Sequence, residues 1–285
     1  MDFTKMQGAG NDFVVVRPEG GRRDWPKLAT AMCDRHYGVG ADGLLLLLPS
    51  RVADFKMRIF NADGSESVAC GNGMRCLVKH FLDEHPRGGG DFDVTIETLA
   101  GVRTAKVHGR RGHVTEIRAS MGEPRVGHNG SSARAGEGGR ETVDITQEMG
   151  RTITVDGQPL RINLVSIGNP HAVHFTEIPV ADFPLCALGP AVEQHRLFPD
   201  ETNFEVVNVV SRGEVVARVW ERGCGETLAC GSGACAVTVA GQLLGLLDER
   251  VEVSLPGGAL GVHWAGEGEV FLSGPAVTVF RGEWP

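Results

Sequence analysis

Two short segments of this chain place the same residue types in the same order, 160 residues apart. The first reads Asp63-Gly-Ser-Glu66-Ser67-Val-Ala69-Cys70-Gly71-Asn72-Gly73. The second reads Gly223-Cys-Gly-Glu226-Thr227-Leu-Ala229-Cys230-Gly231-Ser232-Gly233. Upstream, Gly10-Asn11 matches Gly168-Asn169 at a separation of 158. A Gly-Asn pair alone means little, but a Cys-Gly-x-Gly match inside eleven aligned positions indicates a duplicated half. Each cysteine stands where a loop ends and an apolar helix is expected to begin. The first turn of a helix offers N–H groups and a partial positive charge. Glycines let a substrate approach that backbone, so the site suits a carboxylate. The same field is expected to lower the pKa of a thiol from about 8.5. Two halves would bring two such thiols to opposite faces of one substrate carbon, each sulfur about 3–3.5 Å away. One thiolate would take a proton and the other thiol would deliver one, which inverts a stereocentre by two-base chemistry. Helix N–H groups would stabilise the charge that develops. This scheme requires no metal and no organic cofactor.

The elements around these cysteines follow from hydrophobic period. Trp25 to His36 is predicted as a helix with Leu28, Ala29, Met32 and Cys33 on one face. Leu44–Leu48 and Phe55–Phe60 read as strands. Met74, Leu77, Val78, Phe81 and Leu82 predict a helix to about His85, stopped by Pro86 and the glycines at 88–90. Further strands are expected over 93–97, 102–108 and 114–120. The order then repeats: a strand over 163–167, a turn at Gly168-Asn169-Pro170-His171, a mostly helical stretch over 187–195, and strands over 204–210 and 215–220. Ala234 to Leu247 is apolar nearly all round, as in a helix buried on every side. Strands close the chain from Val251 to Phe280. The polar, glycine-rich stretch 122–150 reads in part as a surface loop near the junction of the halves; its Asn129-Gly130-Ser131 sequon carries no weight in a cytosolic chain.

Composition excludes several classes of function. Net charge is −8, which argues against a nucleic-acid surface. The longest pure apolar run, Leu44–Leu48, is too short to span a bilayer, so no membrane role is expected. The N-terminal MDFTKMQGAGND has no apolar signal region, which points to the cytoplasm. Seven cysteines with no Cys-x-x-Cys pair fit free thiols in a reducing compartment and lack the usual zinc spacing.

The stretch from Asn61 through Cys70-Gly-Asn-Gly-Met-Arg75-Cys resembles the first signature of the diaminopimelate epimerases. Trp220-Glu221-Arg222-Gly-Cys-Gly-Glu226-Thr227-Leu-Ala-Cys230-Gly-Ser-Gly-Ala-Cys resembles the second. Gly8-Ala-Gly-Asn11-Asp12-Phe13, Arg35-His36 with Gly38-Val-Gly-Ala-Asp42-Gly43, Gly168-Asn169-Pro170-His171 and Thr202-Asn203 resemble family motifs in the expected order. The resemblance implies cofactor-free conversion of LL- to meso-diaminopimelate, on the route to lysine, with Cys70 and Cys230 as the catalytic pair. It implies substrate contacts from Asn11, Asn61, Asn169, Asn203, Glu221 and Arg222, and backbone donors at Gly71, Asn72, Gly231 and Ser232. Arg222, Glu221 and the asparagines suit a substrate with two carboxylates and a second amino-acid end. The expected fold is of the α/β (α+β) class: two pseudo-symmetric halves, each a mixed, mainly antiparallel sheet wrapped around a central apolar helix. The halves are expected at 1–120, with 273–285 returning to it, and at 121–272. Closure over the substrate and a homodimer are further implications. Two positions depart from the pattern: Ser232 stands where many members have threonine, and Gly43 where some have glutamine.

Alternatives remain at this level. A racemase of another amino acid on the same scaffold, or a thiol redox protein using Cys70 and Cys230, would also employ paired thiols. Cys33, Cys76, Cys186 and Cys235 read as small buried residues, and Cys224 as partly exposed without a role. Glu66 and Glu226 read as helix caps. Glu221-Arg222 has a surface ion pair as its structural alternative, and His171 is balanced between loop support and substrate contact.

Overall fold

A computed structural model of the chain describes residues 1–18, 20, 23–68, 70–87, 90–110, 113–126 and 149–285, with the backbone alone at His113. Most of the stretch expected as a loop, residues 127–148 with Asn129, lies outside the described residues, as does Ala69 of the first motif. The chain divides into two compact units, Met1–Ser120 with Leu272–Pro285, and Met121–Phe271.

In the first unit, β1 (Asp2–Gly8) and β2 (Asn11–Val16) form an antiparallel hairpin. Its turn is Ala9-Gly10, both at positive φ (55° and 81°), the conformation a two-residue hairpin loop demands. Helix α1 (Trp25–Cys33) leads to β3 (Gly43–Leu48), which runs parallel to β2. β4 (Phe55–Asn61) pairs antiparallel with β3 and with the short β5 (Glu66–Ser67). Helix α2 (Gly71–Glu84) follows, then β6 (Phe92–Thr98) parallel to β4, β7 (Gly101–Arg110) and β8 (His113–Gly122).

The second unit repeats this plan. After β9 (Arg125–Val126) come β10 (Arg151–Val155), β11 (Gln158–Ser166) and β12 (Pro170–Phe175). Helix α3 (Leu185–Glu193) leads to β13 (Asn203–Ser211), parallel to β12. β14 (Glu214–Glu221) and β15 (Gly225–Thr227) precede α4 (Gly231–Leu243), then β16 (Arg250–Leu255) parallel to β14, β17 (Gly258–His263) and β18 (Val270–Ser273). The last strand, β19 (Val277–Glu283), belongs to the first unit and pairs antiparallel with β1.

Each unit is thus a mixed, mainly antiparallel sheet around one helix. α2 packs against β1, β2, β3, β4 and β7, and α4 against β11, β12, β13, β16 and β17. Alternation along the strands explains the run Leu44–Leu48. Leu44 and Leu46 join Val14, Val16, Ala29 and Met32 in the core beneath α1. Leu45 points the other way, towards Gly73 of α2. A strand buried on both faces reads as unbroken apolar sequence. In the second unit Phe204 and Val206 likewise pack with Leu185, Leu188 and Val192 beneath α3.

Boundaries differ from the periodicity for local reasons. α1 stops at Cys33 rather than His36 because the Asp34 carboxylate accepts the N–H groups of His36 and Tyr37 (2.7 and 2.8 Å) and turns the chain. α2 and α4 each begin three residues before the predicted start, at the glycine after the cysteine. Gly43 opens β3 where a Cβ would lie 2.9 Å from the Phe60 carbonyl, so this backbone approach admits no side chain without a shift. No helix among the described residues is long and apolar enough to cross a membrane.

Gly38 sits under α1, where an added Cβ would meet the carbonyl oxygens of Ala31, Met32 and Asp34 at 2.2, 2.7 and 2.9 Å. Backbone cannot yield as a side chain can. Gly38→Ala is therefore expected to destabilise the protein by about 1–3 kcal/mol, read as a lower midpoint at unchanged slope in urea unfolding.

Candidate active site

The two cysteines of the repeat occupy the same structural position. Cys70 and Cys230 are the N-caps of α2 and α4, both with extended backbone (φ −145°, ψ 120° and φ −121°, ψ 112°). Each sulfur accepts the N–H of the third helical residue, Gly73 or Gly233, at 3.4 Å. The thiols therefore do what serine or aspartate does at other helix starts. The first ladder bonds are Met74 N–H to Cys70 O (2.8 Å) and Ala234 N–H to Cys230 O (3.0 Å). The N–H groups of Gly71 and Asn72, and of Gly231 and Ser232, come before the ladder and have no intrahelical acceptor.

The expectation that Glu66 and Glu226 cap these helices is corrected. Glu66 takes a two-pronged bond from Arg58 (2.6 and 2.9 Å). Glu226 takes the same from Arg218 (2.7 and 2.9 Å). The arginines lie one strand away, on β4 and β14, and a bidentate guanidinium outcompetes a single N–H. They too are 160 residues apart.

In the first unit the Cys70 sulfur lies 3.9 Å from Asn11 Oδ1, which also accepts from Asn72 Nδ2 (3.2 Å). Asn72 Oδ1 accepts from Arg75 Nη2 (2.7 Å), and Arg75 is completely buried. Asn11 Nδ2 donates to Asp42 (2.7 Å). Behind it, Asp12 accepts from Lys5 (2.5 Å) and Arg35 (2.8 Å), and Lys5 also bonds the Gly40 carbonyl. Burial alone would raise the Asp12 pKa, but bonds from Arg35 and Lys5 and the charge of Lys5 outweigh it and bring the group down to about 2. Asn61 stands apart from this network, holding the loop before α2 through Ser65 (2.9 Å) and Ser67 (3.2 Å).

In the second unit Cys230 is buried, and its sulfur lies 3.5 Å from Ser232 Oγ. Asn169 Nδ2 donates to that hydroxyl (3.4 Å), Asn169 Oδ1 faces His171 Nε2 (3.1 Å), and His171 Nδ1 meets Glu205 Oε1 (2.7 Å). Glu221 accepts a short bond from Thr227, and burial pushes its carboxyl pKa up. Asn203 bridges backbone, donating to Pro170 O (2.8 Å) and accepting from Arg222 N–H (3.0 Å). The Arg222 guanidinium reaches the Asp200 carbonyl (3.0 Å).

One sequence expectation reverses here. A helix N-terminus lowers the pKa of an exposed thiol, yet that of the buried Cys230 stands well above the ordinary thiol range. Burial is the largest cause, followed by the charges of Glu221 and Glu205; the Ser232 hydroxyl and Gly233 N–H pull the other way. Desolvation outweighs the end of the helix, and Cys230 rests as a thiol. Cys33, Cys76 and Cys235 are buried as expected, and burial pushes Cys33 and Cys76 up to about 12. Cys186 is not buried: it is exposed, and its sulfur lies 3.2 Å from Glu226 Oε2. Cys224 is exposed. His171 is buried against Asn169 and Glu205. Sequence reasoning missed Arg75 and Glu205 as members of the two networks; aligning them at the repeat offset with Cys235 and Leu45 would have exposed both as charges facing apolar counterparts.

The family model described as Diaminopimelate epimerase matches residues 3–127 and 163–279. A diaminopimelate epimerase of Pelotomaculum thermopropionicum is 45% identical, over 100% of this chain and 99% of the relative. One of Desulfovibrio desulfuricans is 46% identical, over 99% and 97%. Among solved structures, a hydroxyproline epimerase from Agrobacterium vitis superposes with a TM-score of 0.71 at 16% identity, covering 99% of this chain and 91% of that one. A methylitaconate-delta-isomerase gives 0.65 at 14%, covering 99% and 95%. These two share the fold.

Asp12 buttresses the Asn11 segment, and its folded pKa of about 2 lies below the ordinary 3.8. A depressed carboxylate contributes stability that is complete above 3.8 and lost as pH falls towards 2. Asp12→Asn is therefore expected to be less stable than the parent near neutrality by roughly 1–2 kcal/mol. The difference should shrink across that acid window in urea unfolding measured at several pH values.

Proposed function

The chain belongs to the diaminopimelate epimerase family and is an amino-acid epimerase; we propose that it interconverts LL- and meso-diaminopimelate by two-thiol proton transfer. The observation that carries this reading is the duplicated cap: two cysteines, each at a helix N-terminus, each holding one glycine N–H at 3.4 Å. One sulfur removes the α-proton as base while the other thiol delivers a proton to the opposite face. Because the buried Cys230 rests as a thiol, it is ready to donate in the substrate-free protein. N–H groups of Gly71, Asn72, Gly231 and Ser232 receive the α-carboxylate and spread the carbanion charge.

Asn11 and Asn72 bind on the Cys70 side and Asn169 on the Cys230 side, since each already lies in the network of its sulfur. Asn61, Asn203, Glu221 and Arg222 serve the second amino-acid end, whose ammonium and carboxylate need an anion, a cation and amides. That set favours diaminopimelate over the small substrates of other epimerases with this fold, and a redox pair would have no use for it. Side chains and backbone supply the whole scheme, without an organic cofactor or metal. Lysine synthesis in the cytoplasm is the setting that family membership and the free thiols support, and a homodimer is the assembly.

The test is α-proton exchange in deuterated water, under reducing conditions, with LL- and meso-diaminopimelate. The parent protein should place deuterium at one α-carbon and interconvert the isomers. Cys70→Ser and Cys230→Ser should each lose interconversion by a factor on the order of 10²–10⁴. A folded, reduced parent that exchanges neither isomer would remove the substrate assignment. A panel of free amino acids then separates another racemase from a protein without turnover.

A further inference from the structure

The two halves differ in charge at matching places behind their thiols. Leu45 on β3 and Glu205 on β13 are 160 residues apart and hold the same position, for each lies against the glycine at the third position of its helix. A Cβ on Gly73 would meet Leu45 Cδ2 at 3.1 Å, and one on Gly233 would meet Glu205 Oε1 at 2.8 Å. The partner of each is also matched. Phe13 pairs with Gly43 in the parallel β2–β3 ladder, as His171 pairs with Asn203 in β12–β13. The first half thus buries Phe13 and Leu45 where the second buries His171 and Glu205.

The fold itself does not require the polar pair, since the first half builds the same place from apolar residues. The side chains of His171 and Glu205 are 0% and 2% exposed, and Glu205 Oε2 has no hydrogen-bond partner among the described residues. Burying a carboxylate with half its acceptors unmet is unfavourable for stability alone. The pair instead ends a line of contacts on the thiol: Glu205 to His171 (2.7 Å), His171 to Asn169 (3.1 Å), Asn169 to Ser232 (3.4 Å), Ser232 to Cys230 (3.5 Å). Asn169 turns its amide nitrogen to Ser232, so its oxygen faces His171. Both ring nitrogens then face oxygen atoms, Nδ1 the Glu205 carboxylate and Nε2 the Asn169 amide oxygen. Among the described residues, Glu205 on β13 touches this ring and the charge of Glu221, at the end of β14, interacts with it.

We propose that Glu205 is a positioning residue for proton transfer at Cys230: its buried carboxylate holds His171 doubly protonated, and His171 through Asn169 fixes the Ser232 hydroxyl on the sulfur. The role rests on the epimerase reading, but the protonation of His171 can be tested without substrate. Ring nitrogen-15 shifts of His171 should be those of imidazolium in the parent protein and of neutral imidazole in Glu205→Gln. With diaminopimelate, Glu205→Gln should lower kcat on the order of 10–100-fold and change KM by a smaller factor, since its main effect falls on the reacting thiol and only a lesser one on the substrate contact of Asn169. The double variant with His171→Asn should be no slower than His171→Asn alone, since the two residues act as one unit. His171→Phe with Glu205→Leu copies the first half; it should fold with unchanged or raised Tm and lack turnover.

A neutral His171 in the parent, a Glu205→Gln kcat equal to the parent's, additive effects of the two substitutions, or full turnover in the apolar copy would each overturn the proposal. If the parent turns over neither isomer, the substrate assignment fails instead, and the nitrogen-15 shifts still decide the pairing.

Discussion

A sulfur atom accepts the third N–H of the central helix in each half, and much of the local structure follows from that bond. Because it caps the helix, the thiol is held in one place by the backbone that would present N–H groups to an anion. A Cβ at the third position would press on the side chains of Leu45 and Met57 in one half (3.1 and 3.3 Å) and of Glu205 in the other (2.8 Å), which would have to shift to admit it. The residue before the helix must be extended, and both cysteines are. Strands surround each helix, so moving the cap would disturb a packed core as well as the reacting group. Helix start and thiol placement are one feature.

Around this shared frame the halves diverge. α2 itself carries a fully buried guanidinium, Arg75, five residues on from Cys70 and bonded to Asn72. The corresponding residue on α4 is Cys235, small and buried. Beneath α4 lies the carboxylate of Glu205, where α2 has Leu45. Cation on one side and anion on the other make chemically distinct environments from nearly identical motifs. The high pKa of Cys230 follows, since burial and two nearby carboxylates all disfavour its thiolate.

The sequence revealed the elements better than their polar connections. Helical spacing located α1, α2 and α4, and the run Leu44–Leu48 marked a strand buried on both sides. The capping role of Cys70 and Cys230 is not legible because cysteine is an uncommon cap, and Glu66 and Glu226 stand nearby as polar residues in the loops before the helices. Those glutamates answer to arginines on neighbouring strands, Arg58 and Arg218, which hydrophobic period cannot foresee. Glu205 was hidden for a similar reason. It sits between Phe204 and Val206 in a plain β pattern, where a polar residue ordinarily faces solvent, and nothing local says that its face lies under a helix. Cys186 erred in the opposite direction, an apolar-looking residue left exposed beside a carboxylate. Register across strands decides such matters, and a lone sequence leaves it open.

β19 has a consequence for the order in which the protein can assemble. It pairs with β1 from Asp2 opposite Glu283 to Gln7 opposite Val277, and Met1 and Trp284 exchange backbone bonds. The strand that completes the first unit is therefore synthesised after the second unit. As the chain leaves the ribosome, residues 121–271 can finish their own ladders while the first 120 residues, though made earlier, still wait with one side of β1 unpaired. An unpaired strand is a template for wrong partners. Synthesis order and completion order of the two units run opposite ways, and the earlier-made unit is the one that waits with an open edge.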